Sequence, residues 1–173
     1  MMAKIRPAKI LFLISIFTLI LTSCERKSCN SVVCPLGQIC LNGNCICPNG
    51  YEGTDCQTLS ADKYVGNYIV YESCPGSTTG NPFGQYNTYI GYDPSYPNQL
   101  IIYNLFNQGS AYASIYTDGS NQGNTLIVKT QNLGSITVYG DGNYDPSTRR
   151  ITMTFDYTFN FNNYQCIHTF YKQ

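Results

Sequence analysis

The chain is predicted to be mainly β: a small disulfide-rich module followed by an eight-stranded antiparallel barrel, with a two-sheet sandwich as the alternative. Three observations carry this. Six of the nine cysteines, from Cys29 to Cys56, crowd into one short stretch. From about Ala61 the composition turns to Tyr, Asn, Gly, Ser and Thr, holding fifteen of the sixteen tyrosines and no convincing helical period. Cys74 and Cys166 stand alone near the two ends of that second stretch, 92 positions apart.

Taken in order, the chain opens with Lys4, Arg6 and Lys9 ahead of an apolar run from Ile10 to Leu21, the pattern of an export signal. Twelve residues of helix cover roughly 18 Å, against about 30 Å of bilayer hydrocarbon, so the run is too short to span. It ends in Leu21-Thr22-Ser23-Cys24, which resembles the lipobox of bacterial lipoproteins. That resemblance implies removal of residues 1–23 and acylation of Cys24 on its thiol and new amine. Two or more acyl chains hold a protein stably at a membrane where one holds it marginally. The other reading, an ordinary secretory signal, leaves Cys24 as an odd exposed thiol. Residues 24–28 then form the lipidated N-terminus, on the membrane of a bacterial cell envelope. The outer membrane or cell surface is inferred from the extracellular style of the modules that follow.

Loss of residues 1–23 removes Lys4, Arg6 and Lys9, leaving seven basic against ten acidic residues, a formal charge of −3. A chain of this balance is not expected to bind nucleic acid, which calls for a concentrated basic patch. The basic pairs that remain are Arg26-Lys27 beside the proposed anchor and Arg149-Arg150 before a predicted strand.

The clustered cysteines follow C-x4-C-x5-C-x4-C-x-C-x8-C and end in Cys47-Pro48-x-Gly50-Tyr51-x-Gly53-x-x-Cys56. Spacing alone leaves fifteen pairings of six cysteines open. The pattern resembles an EGF-like module over residues 29–57, and the resemblance implies Cys29 with Cys40, Cys34 with Cys45 and Cys47 with Cys56. A unit below about 40 residues needs such staples, because it buries too little apolar surface to fold unaided. Gly43 and Gly50 fit tight turns. The calcium-binding subclass carries an acidic run before its first cysteine, whereas Glu25-Arg26-Lys27-Ser28 stands here; no metal is expected.

Residues 61–173 read as eight strands bounded by Gly, Pro, Asn and Asp turns: 64–72, 85–92, 99–105, 110–117, 124–130, 135–140, 150–161 and 164–171. The strongest is the run Ile151, Met153, Phe155, Tyr157, Phe159, Phe161, alternating with polar residues over eleven positions. Such alternation marks one buried and one wet face. Asp141-Gly142-Asn143-Tyr144-Asp145 starts like a calcium loop, but Thr152 stands where a bidentate Glu is required; it reads as a hairpin turn. A Cys74–Cys166 bridge needs Cα atoms within about 7 Å, so first and last strands must be neighbours, which closes a barrel. The opening Tyr64-Val65-Gly66-Asn67-Tyr68, the cysteine pair and the short Asn/Gly-rich hairpins resemble the lipocalin-like, or calycin-like, β-domains of bacterial lipoproteins. The Gly-x-Trp signature of true lipocalins is absent, the chain having no Trp.

Enzymatic constellations are sparse. His168 is the one histidine, and nothing resembles a nucleophile elbow or a zinc-binding pair; neither catalytic residues nor a cofactor is expected, and a hydrolase ranks last. Phe83, Tyr86, Tyr89, Tyr92 and Tyr96 cluster in a loop-rich stretch and form the candidate binding surface, since exposed tyrosines suit adaptable recognition. The expected function is that of a non-enzymatic, lipid-anchored interaction module for a protein or glycan partner. The alternative is a carrier of a small apolar ligand, which requires small inward residues such as Ala111 and Ala113 to leave a cavity of about 300 Å³ or more.

Overall fold

The computed structural model describes residues 29–35, 37–75, 77, 80–117 and 122–173. The export signal, Cys24 and the 25–28 flank lie outside the described residues. The N-terminal module is built from two tiny hairpins. Strands β1 (Ile39–Leu41) and β2 (Asn44–Ile46) are joined through Asn42 and Gly43, both at positive φ; β3 (Tyr51–Glu52) pairs with β4 (Thr58–Leu59). Such short ladders hold little by themselves. Three disulfides, Cys29–Cys40, Cys34–Cys45 and Cys47–Cys56, fix the module instead, the pairing that the resemblance to an EGF-like module implies.

A 3-10 turn, Ser60–Lys63, leads into the barrel strands β5 (Gly66–Ser73), β6 (Gln85–Tyr92), β7 (Gln99–Leu105), β8 (Gly109–Tyr116), β9 (Thr125–Leu133), β10 (Ile136–Asp145), β11 (Arg150–Phe159) and β12 (Asn162–Lys172). Each strand pairs with its sequence neighbours, and β12 returns to β5 with Ile167 opposite Ser73 and Lys172 opposite Tyr68. The sheet is therefore a closed up-and-down barrel, not a sandwich, and closure removes the exposed edges that invite aggregation. Cys74 and Cys166 sit just past the end of this closing ladder and are bridged, their Cα atoms 4.2 Å apart.

Two expected boundaries are corrected. The 141–145 segment is not a turn: β10 runs through it to Asp145, and the chain reverses at 146–149 with Arg149 at φ 54°. Gly140 and Gly142 face inward, where a Cβ on Gly140 would lie 2.7 Å from the Phe155 ring and one on Gly142 2.7 Å from the Met153 Cα. These glycines admit the neighbouring strand rather than bend the chain. Phe161 does not continue the buried face of β11. It lies with Asn160 at positive φ in the next turn and is fully exposed.

Inward side chains from all eight strands join in one cluster, with Ile90, Ile102, Ile115, Phe155 and Phe170 wholly buried. A side chain with no accessible surface borders no void that would admit water, so the barrel interior is packed around these residues. Ala111 and Ala113 do face inward, but both are completely covered. Phe106, from the β7–β8 turn, folds back under one end, its ring 4.9 Å from that of Tyr157 and 5.3 Å from that of Phe155.

The module docks on the opposite end. Thr117 donates its amide to Asn49 Oδ1 (3.2 Å) and its hydroxyl to the Tyr51 carbonyl (3.2 Å). Lys63 bridges Glu52 (2.5 Å) and Asn124 Oδ1 (2.7 Å). Gly50, at φ 94°, lies so close to the barrel that a Cβ would stand 2.7 Å from Asn98 N, so only glycine fits this contact.

Candidate functional site

The five residues expected to form one binding surface are spread along the barrel. Phe83 lies at the end closed by Phe106, and Tyr96 lies in the turn at the module end. The length of β6 between them is roughly 25 Å at about 3.3 Å per residue. Tyr86 is a correction: it is 4 % exposed and points into the barrel, where its hydroxyl meets His168 Nδ1 at 3.1 Å. Phe83 is half-buried, packed against Phe106, Tyr157 and Phe159. Tyr92 is half-buried beside Asp62, whose negative charge raises the phenol pKa. Only Tyr89 and Tyr96 are exposed.

Around Tyr89 the structure assembles a face that sequence reading missed. Tyr89 lies directly opposite Tyr103 across β6–β7, and Ile101, two residues along on the same side, lies opposite Tyr112 on β8. The Tyr89 and Tyr103 rings are 5.7 Å apart, and all three tyrosines are 42–53 % exposed. Gly91, the next outward position on β6, is covered by the two rings, for a Cβ there would meet Tyr89 at 3.1 Å and Tyr103 at 3.4 Å. The result is an exposed aromatic face across three strands, with the Tyr89 and Tyr103 rings tilted 37° to each other. Its signal in the sequence is the spacing of two that places Ile101 and Tyr103 on one face of β7.

The second concentration of chemistry is buried. Glu72 faces the interior at the Cys74–Cys166 end with one oxygen accepting the amides of Phe83 (2.8 Å) and Gly84 (2.9 Å), the other accepting the Tyr157 hydroxyl (2.5 Å). His168 Nε2 stands 3.5 Å from that second oxygen, beyond a good hydrogen bond. Burial pushes the Glu72 pKa upward, but the hydrogen-bonding groups around the carboxylate outweigh it and hold the group below its ordinary value. Burial lowers the His168 pKa, only partly opposed by Glu72. The pair is thus an ionised carboxylate beside a neutral imidazole. Burial, with Glu72 adding for Tyr157, drives the Tyr86 and Tyr157 hydroxyls well above the usual phenol range, so both remain protonated.

This cluster ties the 80–84 segment to the barrel: Glu72 holds the Phe83 and Gly84 amides, and the Phe83 ring then lies against the Phe106 end of the core. Glu72, Cys74 and Cys166 have their side-chain donor atoms close together, but the two sulfurs are bonded to each other, so neither is a thiolate ligand. His168 is completely enclosed, which suits a structural partner of Tyr86 better than a general base, since a base must reach its substrate. No protein-family model and no curated protein matches this chain.

Proposed function

We propose that this is a lipid-anchored protein of the bacterial cell envelope that works by binding, not catalysis. An EGF-like module forms its membrane-proximal stalk, and a lipocalin-like barrel presents an outward recognition face to a protein or glycan. The observation that carries the reading is the group of Tyr89, Tyr103 and Tyr112, three tyrosines 42–53 % exposed on one face of three adjoining strands, with the Tyr89 and Tyr103 rings 5.7 Å apart. Aromatic rings held on strands offer large contact area at little entropic cost and stack on sugar rings or partner side chains. Packing around Ile90, Ile102, Ile115 and Phe155 stands against the carrier alternative, which needs a void in the same space.

The stalk reading rests on the short connection from Cys24 to Cys29 and on the module's direct docking to the barrel through Thr117 and Lys63. Anchoring is tested by substituting Cys24→Ser in the full chain and fractionating cells: the protein is expected to leave the membrane fraction, and its undiminished retention there defeats the anchor. Recognition is tested by placing a photo-crosslinking residue at position 103 in intact cells and by applying the purified full chain to a glycan array. A discrete adduct or glycan signal, lost in a Tyr89→Ala/Tyr112→Ala chain, is expected. Silence in both assays removes the interaction reading.

A further inference from the structure

Four of the five basic residues between positions 61 and 173 line a single cleft of about 770 Å³ at the module end of the barrel: Lys63, Arg149, Arg150 and Lys172. They reach it from different places. Lys63 ends the 3-10 turn, Arg149 and Arg150 close the β10–β11 turn, and Lys172 ends β12. Concentrating like charge costs energy in any chain, and in one with a net acidic balance over residues 24–173 it is not a by-product of composition.

The cations are positioned but not neutralised. Lys63 is matched by Glu52, whereas among the described residues Arg149, Arg150 and Lys172 have no carboxylate within ion-pair distance. The nearby Asp145 spends its oxygens on Ser147 and Thr148, at 2.7 to 2.9 Å, bonds that hold its pKa down to about 2. Counting Asp145 against them, the cleft stays positive. Arg150 lies over the Tyr171 ring, 4.6 Å from its centroid, which orients the guanidinium while leaving its fork of N–H donors free. Lys172 Nζ donates to the Lys63 carbonyl at 3.2 Å, keeping further donors for a ligand. Tyr144 and Tyr171 provide the aromatic walls, Tyr144 steadied edge-on by Tyr64 at 5.3 Å.

We propose that this cleft binds an acidic saccharide, with a pyranose ring against the tyrosine walls and its carboxylate or sulfate held by Arg149, Arg150 and Lys172. Fixed cations beside aromatic rings match a ligand that is flat and apolar on its ring faces and anionic at its rim. The volume suits a small ligand, and a recessed site favours a saccharide that can enter over a planar lipid surface that cannot. The site is distinct from the tyrosine platform on β6–β8, so the two readings fail separately.

The test is calorimetric titration of the purified full chain in mild detergent with tetragalacturonate, with its neutral methyl ester as the control and a chondroitin sulfate tetrasaccharide to distinguish carboxylate from sulfate. Binding of at least one acidic sugar is expected, with at least tenfold preference over the ester. That affinity should fall at least tenfold in Arg149→Gln/Arg150→Gln and in Lys172→Gln. Lys129→Gln, the basic barrel residue outside the cleft, should leave it unchanged. Melting curves of each variant establish that the fold persists; should the double variant melt early, Lys172→Gln alone decides. The assignment is overturned if no acidic sugar binds, if the neutral ester binds equally, or if affinity ignores these substitutions. It is likewise overturned if, in the Cys24→Ser chain, the same substitutions abolish retention on phosphatidylglycerol vesicles without changing sugar binding.

Discussion

The module and the barrel solve the same stability problem by opposite means. Between positions 29 and 56 the buried apolar residues among those described are Ile46, Cys47 and Cys56, two of them members of a bridge. Three disulfides do there what a core cannot, because so short a chain leaves most of its surface wet. The barrel has one disulfide and a contiguous core drawn from all eight strands. Its bridge links the two strands that close the cylinder, where it adds a covalent tie to the contact most distant in sequence. Covalent links define the first fold, and packing defines the second.

The strongest way to break that contrast is to delete one bridge from each region. Closing a loop of 92 residues is credited with roughly 4.6 kcal/mol by chain entropy. Cys74→Ala/Cys166→Ala should therefore lower the barrel's unfolding free energy by about that much, read from urea melts of tyrosine fluorescence. Cys47→Ala/Cys56→Ala should leave the barrel within about 1 kcal/mol of the parent while amides in 29–56 exchange freely. Equal effects on the barrel would mean that the two regions fold as one unit. Under mild reductant, mass spectrometry should show the half-exposed Cys29–Cys40 and Cys34–Cys45 bridges opening before the buried Cys74–Cys166.

Acid sharpens the contrast next, because the barrel carries a buried titratable pair. The folded-state pKa values of His168 and Glu72 both lie below their ordinary values of 6.5 and 4.5. For each, the unfolded chain takes up a proton first as pH falls, so the stability is present above the ordinary value and lost below it. Barrel stability should decline from about pH 6.5, where His168 begins to resist protonation, and again below about 4.5 as Glu72 is neutralised. His168→Gln should remove the upper limb. Glu72→Gln should cost about 1–3 kcal/mol at pH 7, by weakening the hold on the Phe83 and Gly84 amides, and flatten the lower limb. Melting temperatures from pH 3 to 8 check this, and a flat profile in the parent chain contradicts it.

What could be read from sequence follows the same division. The module was legible because its cysteine signature resembles a known pattern, although spacing alone left fifteen pairings open. The barrel strands were readable where alternation is strong, as in β11, and where turn residues bound them, as in β6 and β7. Reading failed where a residue type has two uses. Gly142 looked like a turn former, yet it and Gly140 make room for β11. Glu72 shares inward parity with Tyr68 and Val70, but a charge at a strand's end reads as solvated until its amide partners are seen. The basic cleft was visible only as Arg149-Arg150, since Lys63 and Lys172 reach it through barrel closure and have no sequence proximity to announce it.

Tyrosine shows that ambiguity best, and Tyr89 yields the smallest predicted effect on stability. Tyr68 and Tyr89 both lie on strands, yet Tyr68 is 1 % exposed with its hydroxyl on the Tyr64 carbonyl at 2.7 Å, whereas Tyr89 is 42 % exposed beside Tyr103. Removing the first leaves a cavity and a bare carbonyl, so Tyr68→Ala should cost about 3–5 kcal/mol, the range of a buried aromatic. Removing the second loses a cross-strand pair, so Tyr89→Ala should cost less than about 1 kcal/mol. If the platform is a recognition face, its binding partner reports the loss far more strongly than the melt does, by about 2 kcal/mol or roughly thirtyfold in affinity. A Tyr89→Ala chain that melts like the parent and binds like the parent would reduce this ring to sheet cover. One that melts like the parent and binds thirtyfold more weakly would separate recognition from stability on a single strand.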